Sequence, residues 1–343
     1  MIDGIISEDL NRIEMDFPDH FDGRYVLITG GAGFIGSWLC DAFLRKEMTV
    51  TVVDDLSTGD IANIDHLVKK SNFRFQRTKA EDLGSGEEVY DYVLHFASRP
   101  APDDYQRHPV ETALPNSLGS YRILEMARRC DAAVLFASSS EVYGQAEVIP
   151  TPEDYCGKVN ALGPRGCYDE SKRFGETLFM SYHQEYGLNI KIARIFNTYG
   201  PRLRSDGSYA RVISRFIAQS LAGEPVTVYG DGSQTRSFCY VTDTIGALLK
   251  MLTLKDASTP INVGNPMETD IFHLAEEIIR LTGAKSSIVF RALPPDDPKR
   301  RCPDIVNARS LLGWEPRVSL QQGLRRTIDW YKMQQMRKNE YTG

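Results

Sequence analysis

Short runs of β-branched and apolar residues alternate with longer stretches of helical periodicity through the first half of the chain. The runs are Tyr25–Thr29, Thr49–Val53, Tyr92–Ala97, Ala133–Ser138 and Asn189–Ile195. Nearly continuous apolar runs are typical of parallel strands that helices cover on both faces. Strand, helix and strand in succession predict right-handed βαβ units. The chain is therefore expected to form an α/β fold with a doubly wound parallel sheet.

The first of these strands leads into a glycine-rich turn and then into an amphipathic stretch. Gly30 permits the turn, Gly33 lets a pyrophosphate approach the backbone, and Gly36 lets the helix pack closely on the strand. The start of the helix presents free N–H groups to an anion. Asp54 ends the second strand, where a carboxylate accepts hydrogen bonds from both ribose hydroxyls and repels a 2′-phosphate. This context predicts a Rossmann-like site for NAD rather than NADP.

Beyond about residue 197, glycine and proline divide the chain into short pieces, which predicts a second, smaller α/β lobe. Thr242–Leu254 is expected to be a helix, Pro260–Val263 a strand that returns to the sheet, and Ser319–Met333 a closing helix. We expect a polar leader over 1–22 and a cofactor-binding domain over 23–196 plus about 238–264. A discontinuous substrate-binding lobe would take about 197–237 plus 265–335.

Arginine is the only basic residue between Lys191 and Lys250, where it occurs six times. Its planar guanidinium binds phosphate or carboxylate through two parallel hydrogen bonds, so the stretch suggests an anionic ligand. The alternative is that the long side chains simply cover surface. The arginines are Arg194, Arg202, Arg204, Arg211, Arg215 and Arg236.

The composition excludes several functional classes. The 343 residues carry a net charge of −6 and no long basic run, which argues against a nucleic-acid partner. Six cysteines without a Cys-x-x-Cys pair argue against a zinc site and a disulfide-linked scaffold. No apolar run approaches the ~18 residues that span a bilayer. We expect a cytoplasmic protein with no metal and no membrane contact.

Tyr168 and Lys172 lie four residues apart in a helical stretch, which places both side chains on one helix face. A neighbouring ammonium lowers the pKa of a phenol, so the pair predicts a tyrosine that acts as a general base. A strand that ends in the run Ser138–Glu141 brings hydroxyls to the carboxyl edge of the sheet, where doubly wound folds bind ligands. The alternative for these serines is that they cap the end of the strand.

The glycine turn, the serine run and the Tyr-x-x-x-Lys pair, in this order, resemble the extended short-chain dehydrogenase/reductases that act on nucleotide sugars. The resemblance extends from about Arg24 to Lys332, and within that superfamily the UDP-glucuronate decarboxylase family is the most similar. The matching segments are Ser139–Gly144, Cys167–Glu170, Arg194–Arg202, Gly223–Gly230, Gly232–Arg236, Asn262–Pro266, Asp296–Asp304 and Leu312–Pro316.

The resemblance implies decarboxylation of UDP-glucuronate to UDP-xylose, with bound NAD recycled in each turnover. Tyr168 would take the proton of the sugar 4-OH while NAD takes the hydride of C4, and the resulting 4-keto acid would lose CO₂. Glu141 and Arg236 stand where decarboxylases of the family carry their distinguishing pair. The implied catalytic residues are Tyr168, Lys172, Ser139, Ser140, Glu141 and Arg236.

The same resemblance assigns binding residues and partners. The NAD contacts would be Gly30, Gly33, Phe34, Ile35, Gly36, Asp54, Ala97, Ser98, Tyr168 and Lys172. A UDP-sugar would contact Tyr105, Asn197, Arg204, Arg211, Tyr229, Arg236 and Arg301, with Asn197 and Arg301 at the diphosphate and Tyr229 beside the base. A homodimer is expected through helices around Thr112–Arg129 and Tyr168–Tyr186, which offer Leu118, Ile123, Leu124, Met126, Phe174, Leu178, Phe179 and Tyr182.

The chain departs from the family pattern at two places, and other activities stay open. Arg99 replaces the proline that usually follows the third strand end, and Arg77–Asp82 replaces the segment that usually contacts adenine. A 4-epimerase for a UDP-sugar or UDP-glucuronate would share the Ser, Tyr and Lys chemistry. A 4,6-dehydratase fits less well because Ser140 stands in place of an aspartate. A non-catalytic sensor on the same scaffold is the alternative outside enzymes.

Overall fold

The computed structural model describes residues 4–15, 17, 21, 23–84, 88–255, 259–293 and 298–342, with side chains up to residue 337. Asp296 and Asp297, in one of the segments that carry the resemblance, lie outside the described residues. The strands are β1 Tyr25–Thr29, β2 Thr49–Val53, β3 Phe73–Gln76, β4 Tyr92–His95, β5 Ala133–Ser139, β6 Ile190–Ile195, β7 Thr198–Tyr199, β8 Val226–Tyr229, β9 Thr235–Ser237, β10 Cys239–Tyr240, β11 Ile261–Val263, β12 Glu268–Asp270, β13 Ile288–Arg291 and β14 Arg300–Arg301. The helices are α1 Gly4–Met15, α2 Phe34–Arg45, α3 Pro102–Tyr105, α4 Pro109–Leu114, α5 Ser120–Cys130, α6 Gly166–Tyr186, α7 Val212–Leu221, α8 Val241–Leu252, α9 Ile271–Thr282, α10 Val306–Leu312 and α11 Leu320–Thr342.

Seven parallel strands form the central sheet in the order β11-β6-β5-β4-β1-β2-β3. This confirms the predicted doubly wound sheet, including the return of Pro260–Val263, because β11 pairs with β6. Strand β3 is an additional strand that the sequence did not predict. The order of the strands reverses between β1 and β4, and such a switch point leaves a crevice outside the carboxyl ends of the strands.

Helices cover both faces of the sheet, and β1 shows why its sequence is apolar throughout. Val26 and Ile28 pack in the core beneath α2 and α8, while Leu27 packs in the opposite core beneath α5 and α6. Successive side chains of a strand point to opposite faces. A strand buried on both faces therefore needs an apolar residue at every position.

The N-terminal segment is ordered where the structure describes it. Helix α1 packs against α2 and α8 and buries Ile6, Leu10 and Ile13. Asp9 on the same helix accepts a hydrogen bond from the Tyr240 hydroxyl at 2.6 Å. Helix α1 of the leader thus packs on the body of the protein.

The remaining short strands lie beside the carboxyl edge of the central sheet. β8 and β13 form a parallel pair against which α7 and α9 pack. β9 lies between β12 and β14 in a three-stranded sheet, and β7 pairs with β10. These elements fall in the segments expected to bind substrate, and the domain boundaries themselves stay a prediction. No helix in the described ranges is both long and apolar enough to cross a membrane.

Candidate active site

A long pocket opens at the carboxyl edge of the central sheet, around the switch point between β1 and β4. Of the residues with predicted roles, it is lined by Gly30, Gly33, Phe34, Ile35, Gly36, Asp54, Ala97, Ser98, Ser139, Ser140, Glu141, Tyr168, Lys172, Asn197, Arg204 and Arg211. Those with predicted roles that lie outside its lining are Tyr105, Tyr229, Arg236 and Arg301. The sheet edge therefore brings the predicted cofactor residues and five of the six predicted catalytic residues into one pocket, while Arg236 lies outside its lining.

Glycine is required in the turn between β1 and α2 because other parts of the backbone approach it closely. A Cβ atom on Gly30 would lie 2.7 Å from the backbone nitrogen of Ala97 in the loop after β4. On Gly36 it would lie 2.3 Å from the Gly30 carbonyl oxygen. Gly30 also has a φ of +72°, which other residues rarely adopt. The N-terminus of α2, with its free N–H groups, faces the pocket beside this turn.

Asp54 follows directly after β2 and is fixed by backbone hydrogen bonds at the pocket wall. Its carboxylate accepts from the Ala32 N–H at 3.0 Å and from the Leu56 N–H at 2.9 Å. Burial raises the pKa of Asp54, while these two hydrogen bonds lower it. A fixed carboxylate at this strand end suits a ribose diol and disfavours a phosphate.

Tyr168 and Lys172 project from the first turns of α6 toward the end of β5. Ser139 faces the Tyr168 phenol and lowers its pKa. The Lys172 Nζ donates to the Ala137 carbonyl at 2.7 Å and lies 5.8 Å from the centre of the Tyr168 ring. Both residues are buried, with exposures of 5% and 2%. Helix α6 and strand β5 thus assemble the predicted Ser, Tyr and Lys set.

The expected lowering of the Tyr168 pKa is wrong for the protein as the structure presents it. Burial raises the pKa of Tyr168 to about 12, although the Ser139 hydrogen bond and the charge of Arg211 lower it. Burial also lowers the pKa of Lys172 to about 7. The physical reason is that both side chains are buried in the protein. Desolvation disfavours phenolate and ammonium alike, which outweighs the attraction assumed from their spacing.

Glu141, in the turn after β5, forms ion pairs with two arginines. Its Oε2 accepts from Arg165 and, at 2.8 Å, from Nη2 of Arg301. Burial alone would raise the pKa of Glu141, but the charges of Arg301 and Arg165 outweigh that effect and hold the pKa well below its ordinary range. Glu141 is therefore an ionised carboxylate at neutral pH.

Strands β9 and β14 place Arg236 and Arg301 side by side, since their Cα atoms pair in register. The charge of Arg236 also lowers the pKa of Glu141. Nη1 of Arg301 donates to the carbonyls of Ser140 at 2.8 Å and Gly144 at 2.9 Å. Arg301 thus holds the turn that carries Glu141, and its assignment to the diphosphate stays a prediction.

The other predicted substrate residues surround the pocket at different depths. Tyr105 is buried behind Tyr168, with the two rings stacked 5.2 Å apart at an angle of 3°. The Tyr229 ring packs beneath the Arg215 guanidinium at 4.8 Å. Asn197 lines the pocket and its amide donates to the Ser237 carbonyl at 3.4 Å.

The segment after β7 reaches over the pocket to both of its walls. Arg204 donates to the Thr58 carbonyl at 3.1 Å, on the side of Asp54. Arg211 donates to the Pro100 carbonyl at 3.1 Å, on the side of the loop after β4. These two arginines of the arginine-rich stretch are therefore positioned at the pocket.

Two other arginines of that stretch bind carboxylates of the protein itself. Arg194 forms a bidentate ion pair with Glu176 at 2.9 and 2.7 Å. Arg202 is buried against Asp41 at 2.6 Å. Arg202 also lines the pocket. The sequence could not identify these two ion pairs, because the acidic partners lie 18 and 161 positions away along the chain.

Arg99, the departure from the family pattern, lines the pocket as a paired cation. It donates to both carboxylate oxygens of Asp104 at 3.1 and 2.9 Å and to Glu111 at 2.7 Å. It thereby fixes the loop after β4 to α3 and α4. These two carboxylates balance the positive charge of Arg99 in the absence of substrate.

The segment Arg77–Asp82, the other departure, forms part of the pocket wall. Thr78, Lys79, Ala80 and Glu81 line it on the side of Asp54. This is where the predicted ribose contact lies, so the segment is available to an adenine group. Which of its side chains takes that contact stays open.

Arg165 and Asp169 were missed by the sequence analysis. Arg165 immediately precedes α6 and binds Glu141, and Asp169 lies in the first turn of the same helix. Desolvation and the charge of Glu141 raise the pKa of Asp169 far above the ordinary value of a carboxyl group. Their spacing could have identified them. Arg165 lies three positions before Tyr168 and Asp169 one position after it, so all three residues lie at the same end of the helix.

The comparisons with known proteins agree with this geometry. The model of the NAD dependent epimerase/dehydratase family matches residues 26–264. The chain belongs to this family. Its relatives include UDP-glucuronic acid decarboxylase 1 of Danio rerio, 41% identical over 98% of this chain and 82% of that protein. UDP-glucuronic acid decarboxylase 5 of Arabidopsis thaliana is 44% identical over 87% of this chain and 86% of that one.

A solved family structure is also similar to this chain. The UDP-glucuronic acid 4-epimerase of Bacillus cereus, in complex with UDP-glucuronic acid and NAD, is 30% identical and superposes with a TM-score of 0.81. The superposition covers 90% of this chain and 99% of that one. This likeness confirms the predicted Rossmann-like fold of the family.

The residues that line the pocket are suited to bind NAD, the cofactor of this family. The Gly30–Gly36 turn leaves a cradle for a pyrophosphate next to the start of α2, and Asp54 lies where a ribose diol would be bound. Ala97, Ser98, Tyr168 and Lys172 continue the wall toward Ser139. Among the described residues, no three His, Cys, Asp or Glu side chains are grouped to hold a metal ion.

Proposed function

We propose that the chain converts UDP-glucuronate to UDP-xylose and CO₂ and regenerates its NAD in every turnover. Decarboxylase relatives at 41–44% identity over most of the chain support this activity. The observation that carries it is the position of Glu141. This ionised carboxylate, held by two arginines, lines the same pocket as Tyr168, Ser139 and Lys172.

The first step oxidises C4 of the sugar. Bound NAD supplies a hydride acceptor that later returns the hydride. Because its pKa is raised, Tyr168 must first lose its own proton to solvent, and the resulting phenolate beside Ser139 then accepts the 4-OH proton. Lys172 faces the same ring and offers N–H groups beyond the one that binds Ala137. The raised pKa makes this phenolate a strong base, and the phenol that it becomes gives the proton back to O4 in the last step.

Oxidation makes the loss of CO₂ possible. The carboxylate of the 4-keto sugar is β to a carbonyl, so the electron pair of the breaking C–C bond passes into an enolate. The residues need only orient the carboxylate and deliver a proton to C5. Arg236, beside Arg301 and near Glu141, is the cation that we assign to orienting the carboxylate. Glu141 and Ser140 face the C5 side in this assignment.

The experiment compares two variants at the carboxylate end with the wild type. Glu141→Gln and Arg236→Ala should still form NADH with UDP-glucuronate in a single turnover, since Tyr168 and Lys172 are unchanged. Release of CO₂ should fall by about 10²–10⁴-fold, the usual contribution of a positioned acid–base group. If both variants release CO₂ at the wild-type rate, the assignment of these two residues is wrong.

We also propose that the protein is a homodimer through α5, α6 and the turn before α5. Leu118, Tyr121 and Phe174 are 41%, 44% and 50% exposed on these neighbouring elements, and exposed apolar groups that cluster in this way suit a protein interface. A second copy of the chain is the partner that we propose.

The predicted interface list needs correction in part. Ile123, Leu124, Met126, Phe179 and Tyr182 are at most 7% exposed and pack in the core of the protomer itself. Leu178 is partly buried against that core. The helical pattern identified apolar positions but could not tell which face of each helix meets the sheet.

The cytoplasmic location stays a prediction. All six cysteines are free thiols, which supports a reducing compartment.

A further inference from the structure

Asp169 is buried without the hydrogen bonds that usually compensate for the burial of a carboxylate. It is 5% exposed, and its Oδ1 has no hydrogen-bond partner among the described residues. Its Oδ2 lies 4.0 Å from Nε of Arg165, beyond hydrogen-bonding distance. An aspartate in the first turn of a helix ordinarily accepts from a free backbone N–H there. A buried polar atom left unpaired costs stability, so Asp169 calls for a reason other than folding.

A second cavity explains where Asp169 can exchange a proton. This cavity, of about 470 Å³, is lined by Asp169, Arg165, Arg301, Lys158, Asn160 and Glu141. Charged and polar side chains are among its lining, and it is large enough for several water molecules. Glu141 also lines the main pocket, so it stands between the proposed reaction site and this cavity.

The proposed reaction needs a proton that the Tyr168 phenol cannot supply. Tyr168 returns its proton to O4, while C5 gains a separate one when CO₂ leaves. That proton comes from solvent, because UDP-glucuronate and one proton give UDP-xylose and CO₂. Glu141 does not store it, since two arginines keep this carboxylate ionised.

We propose that Asp169 stores the proton that C5 receives and that water in the second cavity restores it. This inference rests on the proposed decarboxylation and adds a residue to it. The enolate takes a proton at C5 from a water molecule beside Glu141, and Asp169 releases its own proton to that water. The Asp169 carboxylate then takes a proton from the cavity water, so the cycle closes without another reactant.

The electrostatic surroundings of Asp169 favour this role. Desolvation and the negative charge of Glu141 raise its pKa toward neutrality, while Arg165 and Arg301 lower it. The titratable and charged groups that surround it are Glu141, Arg165, Arg301, Glu170, Tyr105, Tyr168 and Cys167. Under this proposal, Asp169 supports turnover in its protonated form. Turnover should therefore decline as the pH rises through the pKa of Asp169.

The test compares Asp169→Asn with Glu170→Gln, a matched loss of charge at the next position, whose side chain is 42% exposed. In Asp169→Asn we expect wild-type formation of NADH in a single turnover and about 10²-fold slower release of UDP-xylose. The melting temperature should not fall, because the uncompensated carboxylate is gone. The decline in turnover with rising pH should disappear. Glu170→Gln should match the wild type in all four measurements.

Two results would overturn the inference and leave the proposed function intact. One is wild-type turnover in Asp169→Asn. The other is a lower melting temperature together with slower NADH formation, which would make Asp169 a structural residue. If the wild type itself released no CO₂ from UDP-glucuronate, the proposed function would fail and this inference with it.

Discussion

Replacing Lys172 with methionine should stabilise the fold while abolishing turnover. Lys172 is 2% exposed, and burial lowers its pKa from 10.5 to about 7. Between these two values the unfolded chain binds a proton that the folded chain does not. Folding stability therefore falls as the pH is lowered from 10.5 to 7 and then levels off. Methionine has a side chain of similar length with no charge to desolvate.

The magnitude follows from the two pKa values. Their difference corresponds to about 5 kcal/mol of destabilisation below pH 7, and this is an upper limit. The variant also loses the hydrogen bond from Nζ to the Ala137 carbonyl, and an unsatisfied buried acceptor costs about 1–3 kcal/mol. The net gain at pH 7 is therefore at most about 2–4 kcal/mol. Near pH 10.5 the gain should vanish or change sign.

The assay is denaturant unfolding of both proteins without NAD at several pH values between 7 and 10.5. Lys158→Met, at an exposed lysine, is the control and should show no such dependence on pH. A Lys172→Met variant that is less stable than the wild type at pH 7, by an amount that does not change with pH, would refute the reasoning about burial.

Three further predictions concern the cofactor, the base and the interface. Tyr168→Phe removes the proton acceptor, so neither NADH nor CO₂ should form in single-turnover mixtures, while UDP-glucuronate should still bind in calorimetry. Asp54→Ala should weaken NAD binding and reduce the preference over NADP, and equal affinity of the wild type for both cofactors would contradict the role of this carboxylate. Phe174→Asp places a charge on the exposed apolar surface and should shift the dimer to a monomer in light scattering. A wild-type monomer at micromolar concentration would refute the dimer.

Much of the fold could be predicted because short sequence patterns determine the individual strands and turns. Buried parallel strands such as Val26–Ile28 need apolar residues at every position, and glycine marks the turn at Gly30. Strand β3 escaped prediction because its sequence, Phe-Arg-Phe-Gln, alternates at the edge of the sheet and is short. Edge strands bury one face only, so their signal is weaker.

The site was predicted as a set of residues, but their charge states could not be read from spacing. The spacing of four positions from Tyr168 to Lys172 fixes a shared helix face, yet the pKa of each residue depends on how much water the fold excludes. The partners of Glu141 are similarly non-local. Arg301 lies 160 positions away and meets it only because β14 pairs with β9 beside the turn after β5.

The most direct test of the central claim follows the carboxyl carbon of the substrate. The protein is incubated in D₂O with NAD and with UDP-glucuronate labelled with ¹³C at C6, and the products are identified by NMR. The account predicts that all of the label appears in CO₂ and bicarbonate, and that the product is UDP-xylose with one deuterium at C5. Label retained in UDP-galacturonate, with no CO₂ released, would contradict the account and identify a 4-epimerase.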